Sequence, residues 1–292
     1  MKANIITNIK KIKSFDIKRF RLFDVSLRDG LQSQNKIYSL DEKISMFDNI
    51  ITKYNPNSIE IGSIVNPKIL PQMENTIDLF NHVKSKNIDN DIYILTPNIK
   101  SVNKALQIGV KNFSLITSMS NVFQWKNINT SLDNTKRNLS IMYDTIQDTN
   151  NENKIKIYLS CVNECPISGK IPIENVINEF LYYYNHYKVE DICLSDTCGT
   201  LNHNDLKKII NILIDRYGVE PKKISLHFHT NNENLENIFK MLNIAYNNNI
   251  KKLDISCVES GGCNVTINDD NKLKKNMSYD ILYQYYILHG KI

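Results

Sequence analysis

From about Phe20 onward, short runs of β-branched residues alternate with longer stretches in which apolar side chains recur every three or four positions. The short runs predict strands at Arg21–Ser26, Ser58–Gly62, Asp91–Thr96, Asn112–Thr117, Lys154–Cys161, Asp191–Ser195, Lys223–His229 and Lys251–Ser256. The longer ones predict helices between them, such as Asp41–Tyr54, Asp133–Ile146 and Leu235–Tyr246. Ser39 followed by Glu42 is a capping box that opens the first helix. No Pro-, Gly- or Ser-rich linker interrupts the alternation, so a single α/β domain is expected. Eight strands, each followed by a helix, within about 270 residues predict a (β/α)8 TIM barrel. A doubly wound open sheet fits less well, because no G-x-G-x-x-G follows the first strand. The expected division is a basic N-terminal extension over 1–19 and a barrel catalytic domain over 20–292.

Composition adds limits. With 41% hydrophobic and 23% charged residues the chain is globular, and no run approaches the ~18 apolar residues of a membrane span. The formal charge of +5 comes mostly from Lys, with Arg only at positions 19, 21, 28, 137 and 216, so nucleic-acid readout led by Arg is not expected. The six cysteines lack zinc-ribbon pairs and the density of a secreted scaffold, which predicts reduced thiols inside a cell, with Cys161 and Cys257 expected to be buried on strands and slow to react. Met1–Arg21 is basic, with Ile5, Ile9 and Ile12 on one helical face. A solvated extension of a cytoplasmic protein is the expectation, and a mitochondrial presequence the alternative.

A barrel concentrates chemistry at the C-terminal ends of its strands. Several polar residues fall there together: Arg28 and Asp29 after strand 1, Glu60 in strand 2, Asp196 after strand 6, and His227 and His229 in strand 7. In His227-Phe228-His229 the side chains alternate, so both imidazoles share a face and Phe228 points into the helix layer. Two imidazoles can simply pack in the mouth, but with Asp29 one strand away across the mouth they form a set able to hold a divalent cation. Arg28 is placed to hold an anion or an enolate oxygen, or else to make a salt bridge to Asp29 or Glu60. Glu60, flanked by Ile59 and Ile61, is an inward charge that needs a partner such as Arg28. Ser260-Gly261-Gly262-Cys263 is a flexible turn carrying a thiol.

These residues resemble the 3-hydroxy-3-methylglutaryl-CoA lyase family in order and spacing. The similarity begins with Ser26-Leu27-Arg28-Asp29-Gly30-Leu31-Gln32, Ile59-Glu60, Asn66-Pro67-Lys68 and Pro71-Gln72-Met73. It continues through Thr96-Pro97-Asn98, Lys126-Asn127-Ile128-Asn129, Ser160-Cys161-Val162, Cys165-Pro166, Asp196-Thr197 with Gly199, and on to His227-x-His229 and Gly261-Gly262-Cys263. The resemblance implies Mg2+ or Mn2+ held by Asp29, His227 and His229, enolate stabilisation by Arg28, and proton transfer by Cys263. It also implies supporting roles for Glu60 and Asp196, with His227 counted among the catalytic groups as well as the ligands, and Arg28 and Gln32 as substrate contacts. The implied substrate is an acyl-CoA, cleaved to acetyl-CoA and acetoacetate as in leucine degradation. A homodimer is the expected protein partner.

The sequence also departs from the family. Glu259-Ser260 stand where Gly-Leu is usual, Asn264 replaces Pro, and Gln34 replaces an acid. The small-residue G-x-x-G-N segment is missing. Asn276 is the nearest match for its ligand Asn, with Asn271 the alternative. Besides an active lyase, two readings remain: a related acyl-CoA condensing or aldol enzyme, and a degenerate barrel that keeps metal or acyl-CoA binding without catalysis. Cys263 separates them. If its thiol donates a proton in the transition state, Cys263→Ser lowers kcat strongly with little change in KM, and bound substrate protects the parent from alkylation. Turnover indifferent to the substitution would remove the thiol from the reaction.

Overall fold

The computed structural model describes residues 20–86, 88–230, 234–258, 260–262 and 274–289. Its centre is a closed, all-parallel, eight-stranded barrel. The strands are β1 (Arg21–Asp24), β2 (Ser58–Ser63), β3 (Asp91–Leu95), β4 (Asn112–Ser118), β5 (Lys154–Ser160), β6 (Asp191–Ser195), β7 (Ile224–His227) and β8 (Lys252–Ile255). They pair in chain order, and β8 closes on β1 in the register Arg21 to Lys252 through Asp24 to Ile255. The helices are α1 (Leu40–Lys53), α2 (Thr76–Lys84), α3 (Ile99–Ile108), α4 (Asn121–Ile128), α5 (Leu132–Thr149), α6 (Ile173–His186), α7 (His203–Asn211), α8 (Leu235–Asn247) and α9 (Tyr279–Leu288). The (β/α)8 expectation holds, with two helices after β4. Among the described residues no helix is long and apolar enough to cross a membrane.

Local chemistry accounts for the element ends. Ser39 accepts from the Glu42 backbone N–H while the Glu42 side chain accepts from that of Ser39, the capping box read from the sequence. At the end of α3, Gly109 adopts φ +85°, where a Cβ would be strained.

Alternation along the strands sorts side chains into two layers. The outward set joins the helices in one continuous core that includes Ile59, Ile61, Ile155, Ile157, Leu253 and Phe228. Two small apolar groups stand apart from it: Phe23, Val25 and Tyr93, and Leu95, Tyr158 and Cys193 with Ile116. They share the inward phase of their strands with a set of buried polar residues. In β5 that phase carries Lys156, Tyr158 and Ser160, and in β8 Lys252 and Asp254.

Two expectations need correction. The His-x-His pair does not lie on one barrel strand. β7 ends at His227, and His229–Thr230 leaves the wall to pair antiparallel with Lys275–Asn276. The alternation survives this change of partner, so Phe228 still packs in the outer core, 1% exposed, while both imidazoles share the mouth. Cys257, expected to be buried on a strand, lies beyond the end of β8 and is exposed, whereas Cys161 is buried.

Near the opposite end of the interior Lys156, 1% exposed, bridges Asp191 at 3.1 Å and Asp254 at 3.0 Å. Burial disfavours the charge on Asp191, but Lys156, Lys252 and the Ser225 hydroxyl together outweigh it and hold that carboxyl below its ordinary range. Lys156→Met would leave two buried acids short of their cation and should lower stability by about 3–5 kcal/mol near neutral pH. Asp191 titrates lower folded than unfolded, so its contribution is present above the usual carboxylate range and lost as pH falls through the lowered value. Urea unfolding of parent and variant at several pH values should therefore show a gap that narrows in acid. Coincident curves at neutral pH would show that the ion group contributes nothing.

Candidate functional site

After β1 the chain makes a single π-helical turn, Ser26–Gly30, in which every residue is buried. The turn puts two consecutive charged residues, Arg28 and Asp29, in the barrel mouth. Arg28 donates through Nε to Glu60 Oε2 and through Nη1 to Asp29 Oδ1 at 2.6 Å. Its guanidinium also lies over the Tyr158 ring, 5.2 Å from the centroid. Both salt bridges anticipated for Arg28 are thus made. Burial alone would lower its pKa, but Glu60 and Asp29 outweigh it and hold the guanidinium well above its ordinary value. Asp29 is the counterpart, with burial opposed by Arg28 and by the two histidines, so its carboxyl titrates well below the usual range.

Four donors hold Asp29 in place. Oδ1 accepts from Arg28 and from Gln32 Nε2 at 3.2 Å, and Oδ2 from the Gly262 backbone N–H at 2.9 Å and Asn276 Nδ2 at 2.8 Å. Gln32, expected at the substrate, also donates to the Gly262 carbonyl at 3.1 Å. It ties the loop after β8 to the Asp29 carboxylate while still lining the cavity. The two glycines of that loop serve different needs. Gly262 has φ +78°. A Cβ on Gly261 would lie 2.5 Å from the Asn276 side chain, so only glycine leaves room for it.

The histidines face each other, with Nε2 to Nε2 at 3.4 Å. The other nitrogen of each meets a pure acceptor: His227 Nδ1 meets Asp254 Oδ2 at 3.1 Å, and His229 Nδ1 meets the Asp196 carbonyl at 3.0 Å. Each Nδ1 must therefore carry the hydrogen, and in neutral rings two Nε2 lone pairs then oppose each other. A proton or a cation between them relieves the repulsion. Burial disfavours a charge on His229, but its contacts with Asp29 and Asp196 together outweigh burial and raise its pKa. One nitrogen from each ring and one Asp29 oxygen lie within 4.8 Å of one another, a compact group able to hold a metal ion. Asn276 sits opposite His229 in the antiparallel pair, and its buried Oδ1 has no hydrogen-bond partner among the described residues. That adds a fourth donor to the group, a neutral oxygen of the kind a hard divalent cation takes.

Asp196 is 1% exposed. Its Oδ1 accepts from the backbone N–H groups of Thr200 and Leu201, and its Oδ2 has no partner among the described residues. Burial pushes its pKa up. Cys263, Asn271, Glu259 and Asn264 lie outside the described residues. Three residues escaped the sequence reading. Asp254 and Lys156 back His227 from below, and the Tyr158 hydroxyl is 3.4 Å from Glu60 Oε2. Each sits in the inward phase of a strand whose other phase is apolar, the same signal that exposed Glu60.

A cavity of about 800 Å³ opens from Arg28, Asp29, His227 and His229 and runs over Leu95, Ile116 and Phe123 to Lys126 at the rim. It is polar at its floor and apolar along its length, with room for a ligand larger than a metabolite fragment.

Fold and site together define a class: a (β/α)8 barrel enzyme whose C-terminal mouth joins a candidate metal group to a buried arginine. The chain belongs to the HMGL-like family, whose model matches residues 19–233. It is 30% identical over 254 residues to hydroxymethylglutaryl-CoA lyase YngG of Bacillus subtilis, covering 84% of this chain and 79% of that protein. The solved HMG-CoA lyase of Bacillus subtilis superposes with a TM-score of 0.81 at 26% identity, over 92% of this chain and 86% of that one. An HMG-CoA lyase from Acinetobacter baumannii, in complex with coenzyme A and 3-methylmalate, gives 0.81 at 22% identity, over 93% and 84%. The chain is an HMGL-like lyase.

Arg28→Lys keeps a charge but loses the planar fork that engages Glu60 and Asp29 together. Activity should fall by about 10²–10³-fold while the thermal midpoint moves little. A variant with full turnover that melts much earlier would make Arg28 a structural partner of Glu60 alone.

Proposed function

We propose that this chain is a divalent-metal-dependent carbon–carbon lyase that cleaves 3-hydroxy-3-methylglutaryl-CoA to acetyl-CoA and acetoacetate. The observation that carries the reading is the opposed Nε2 pair beside Asp29 and the unpartnered Asn276 Oδ1, all at the mouth of an acyl-sized cavity. Asp29, His227, His229 and Asn276 would hold Mg2+ or Mn2+, because carboxylate and amide oxygens with two imidazoles favour a hard six-coordinate cation over a closed tetrahedral zinc site. When bound, the cation acidifies the tertiary hydroxyl and polarises the carbonyl that forms from it.

The chain's own residues account for the remaining needs. The reaction removes the hydroxyl proton, breaks the bond between C2 and C3, and leaves the electron pair on the thioester enolate, which must then be protonated at C2. Asp196, with its raised pKa and an oxygen without a partner, is our candidate acceptor for the hydroxyl proton. Among the described residues Arg28 Nη2 has no hydrogen-bond partner, so it can meet the enolate oxygen while Glu60 and Asp29 hold the rest of the fork. Cys263, next to Gly262, is our candidate donor to C2. Lys126 at the rim suits the anionic end of a CoA.

The experiment is a Mn2+ titration of the purified chain followed by an assay for acetoacetate release. One ion should bind, chelation should abolish turnover, and His229→Ala should weaken binding severely. His229→Ala that binds Mn2+ as tightly as the parent would make the histidines packing residues. Metal binding without acetoacetate would favour the condensing or non-catalytic alternatives.

A further inference from the structure

Asp254 is 2% exposed, sits one strand from both β1 and β7, and touches none of the cavity. Its two oxygens do different things. Oδ2 meets His227 Nδ1 at 3.1 Å, and Oδ1 meets Lys156 Nζ at 3.0 Å. The ammonium of Lys156 has three hydrogens and three acceptors, namely Asp254 Oδ1, Asp191 Oδ1 at 3.1 Å and Ser225 Oγ at 2.9 Å, so its orientation is fixed. The Cys193 thiol lies 3.8 Å from Oδ2, and the Tyr158 ring stands edge-on to His227 at 88°. Asp254 is therefore held from below by a buried cation and reaches His227 from the side away from Asp29.

We infer that Asp254, fixed by Lys156, is a positioning residue that keeps the hydrogen of His227 on Nδ1 and so keeps Nε2 open toward the cation. The inference rests on the metal reading above. Carboxylate partners of this kind orient metal-binding histidines and raise their basicity. The two histidines differ here: His229 is oriented by a neutral backbone carbonyl, which no side-chain substitution removes, whereas His227 depends on a side chain. Asp254→Asn makes the difference visible. Its amide has one oxygen, and the Lys156 ammonium requires an acceptor, so the oxygen stays with Lys156 and the NH2 turns to His227. Nδ1 must then accept, the hydrogen moves to Nε2, and the face toward the cation closes although the shape is almost unchanged.

The test uses the full chain and Mn2+, with free ion followed by electron paramagnetic resonance and imidazole nitrogens by 15N NMR in the metal-free protein, His227→Gln serving for assignment. The parent should show His227 protonated on Nδ1. Asp254→Asn should show it on Nε2, leave His229 on Nδ1, and bind Mn2+ about 10–100-fold more weakly. A parent with the hydrogen on Nε2 overturns the inference whether or not the variant folds. A variant that binds Mn2+ as the parent does overturns it too, while leaving the metal reading intact. A parent that binds no Mn2+ overturns both.

Discussion

A guanidinium buried in a barrel mouth must be neutralised where it lies, and the rest of this site follows from how Arg28 meets that constraint. Leaving it without partners would cost several kcal/mol. Glu60 and Asp29 both approach it, one from the neighbouring strand and one from the next residue in the turn. Sharing one cation between two acids leaves an excess of negative charge, and Asp29 carries it toward the histidines. The Gly262 backbone N–H, Gln32 and Asn276 then close around Asp29 because its oxygens are the strongest acceptors in reach. One ion group thus draws together β1, β2, the loop after β8 and the segment that leads into α9.

The same arithmetic of shared ions repeats at the other end of the interior, where Lys156 serves Asp191 and Asp254. Between the two ion groups lie Tyr158, His227 and the small apolar clusters, so polar contacts run from one end of the barrel to the other through a narrow, buried column. In such surroundings hydrogen bonds are strong and unmade ones costly, which favours a single arrangement. The outer core contributes most of the buried apolar area; the inner column decides where the functional atoms stand.

The barrel was legible because its outward residues are β-branched at period two and its helices carry clear starts, as at Ser39. The site was legible where polar residues break an apolar strand: Glu60 between Ile59 and Ile61, and His227 and His229 about Phe228. Lys156 and Asp254 give the same signal, but a Lys or Asp in a strand is equally at home facing solvent, and only the closed barrel turns their phase inward. The break of β7 at His227 was not readable, since it depends on Lys275–Asn276 returning from far along the chain to take up the pairing. Asn276 was singled out by resemblance rather than by pattern; what marks it physically is its place opposite His229 and against Gly261.

Charge balance links these features to chemistry. Lys252, 3.4 Å from Asp191, offsets the surplus acid at the lower end, but no lysine or arginine besides Arg28 forms an ion pair with Asp29 or Glu60 among the described residues. The surplus at the mouth is instead felt by His229, whose pKa is raised by Asp29 despite complete burial. A protonated His229 satisfies the surplus only in part and occupies an Nε2 that faces another nitrogen at 3.4 Å. A divalent cation would satisfy both demands together, because it carries more charge and can accept both lone pairs. The barrel interior is therefore built with a deficit of positive charge at the place where two neutral donors converge, and that deficit, more than any single ligand, is what would favour an ion under the proposed metal reading.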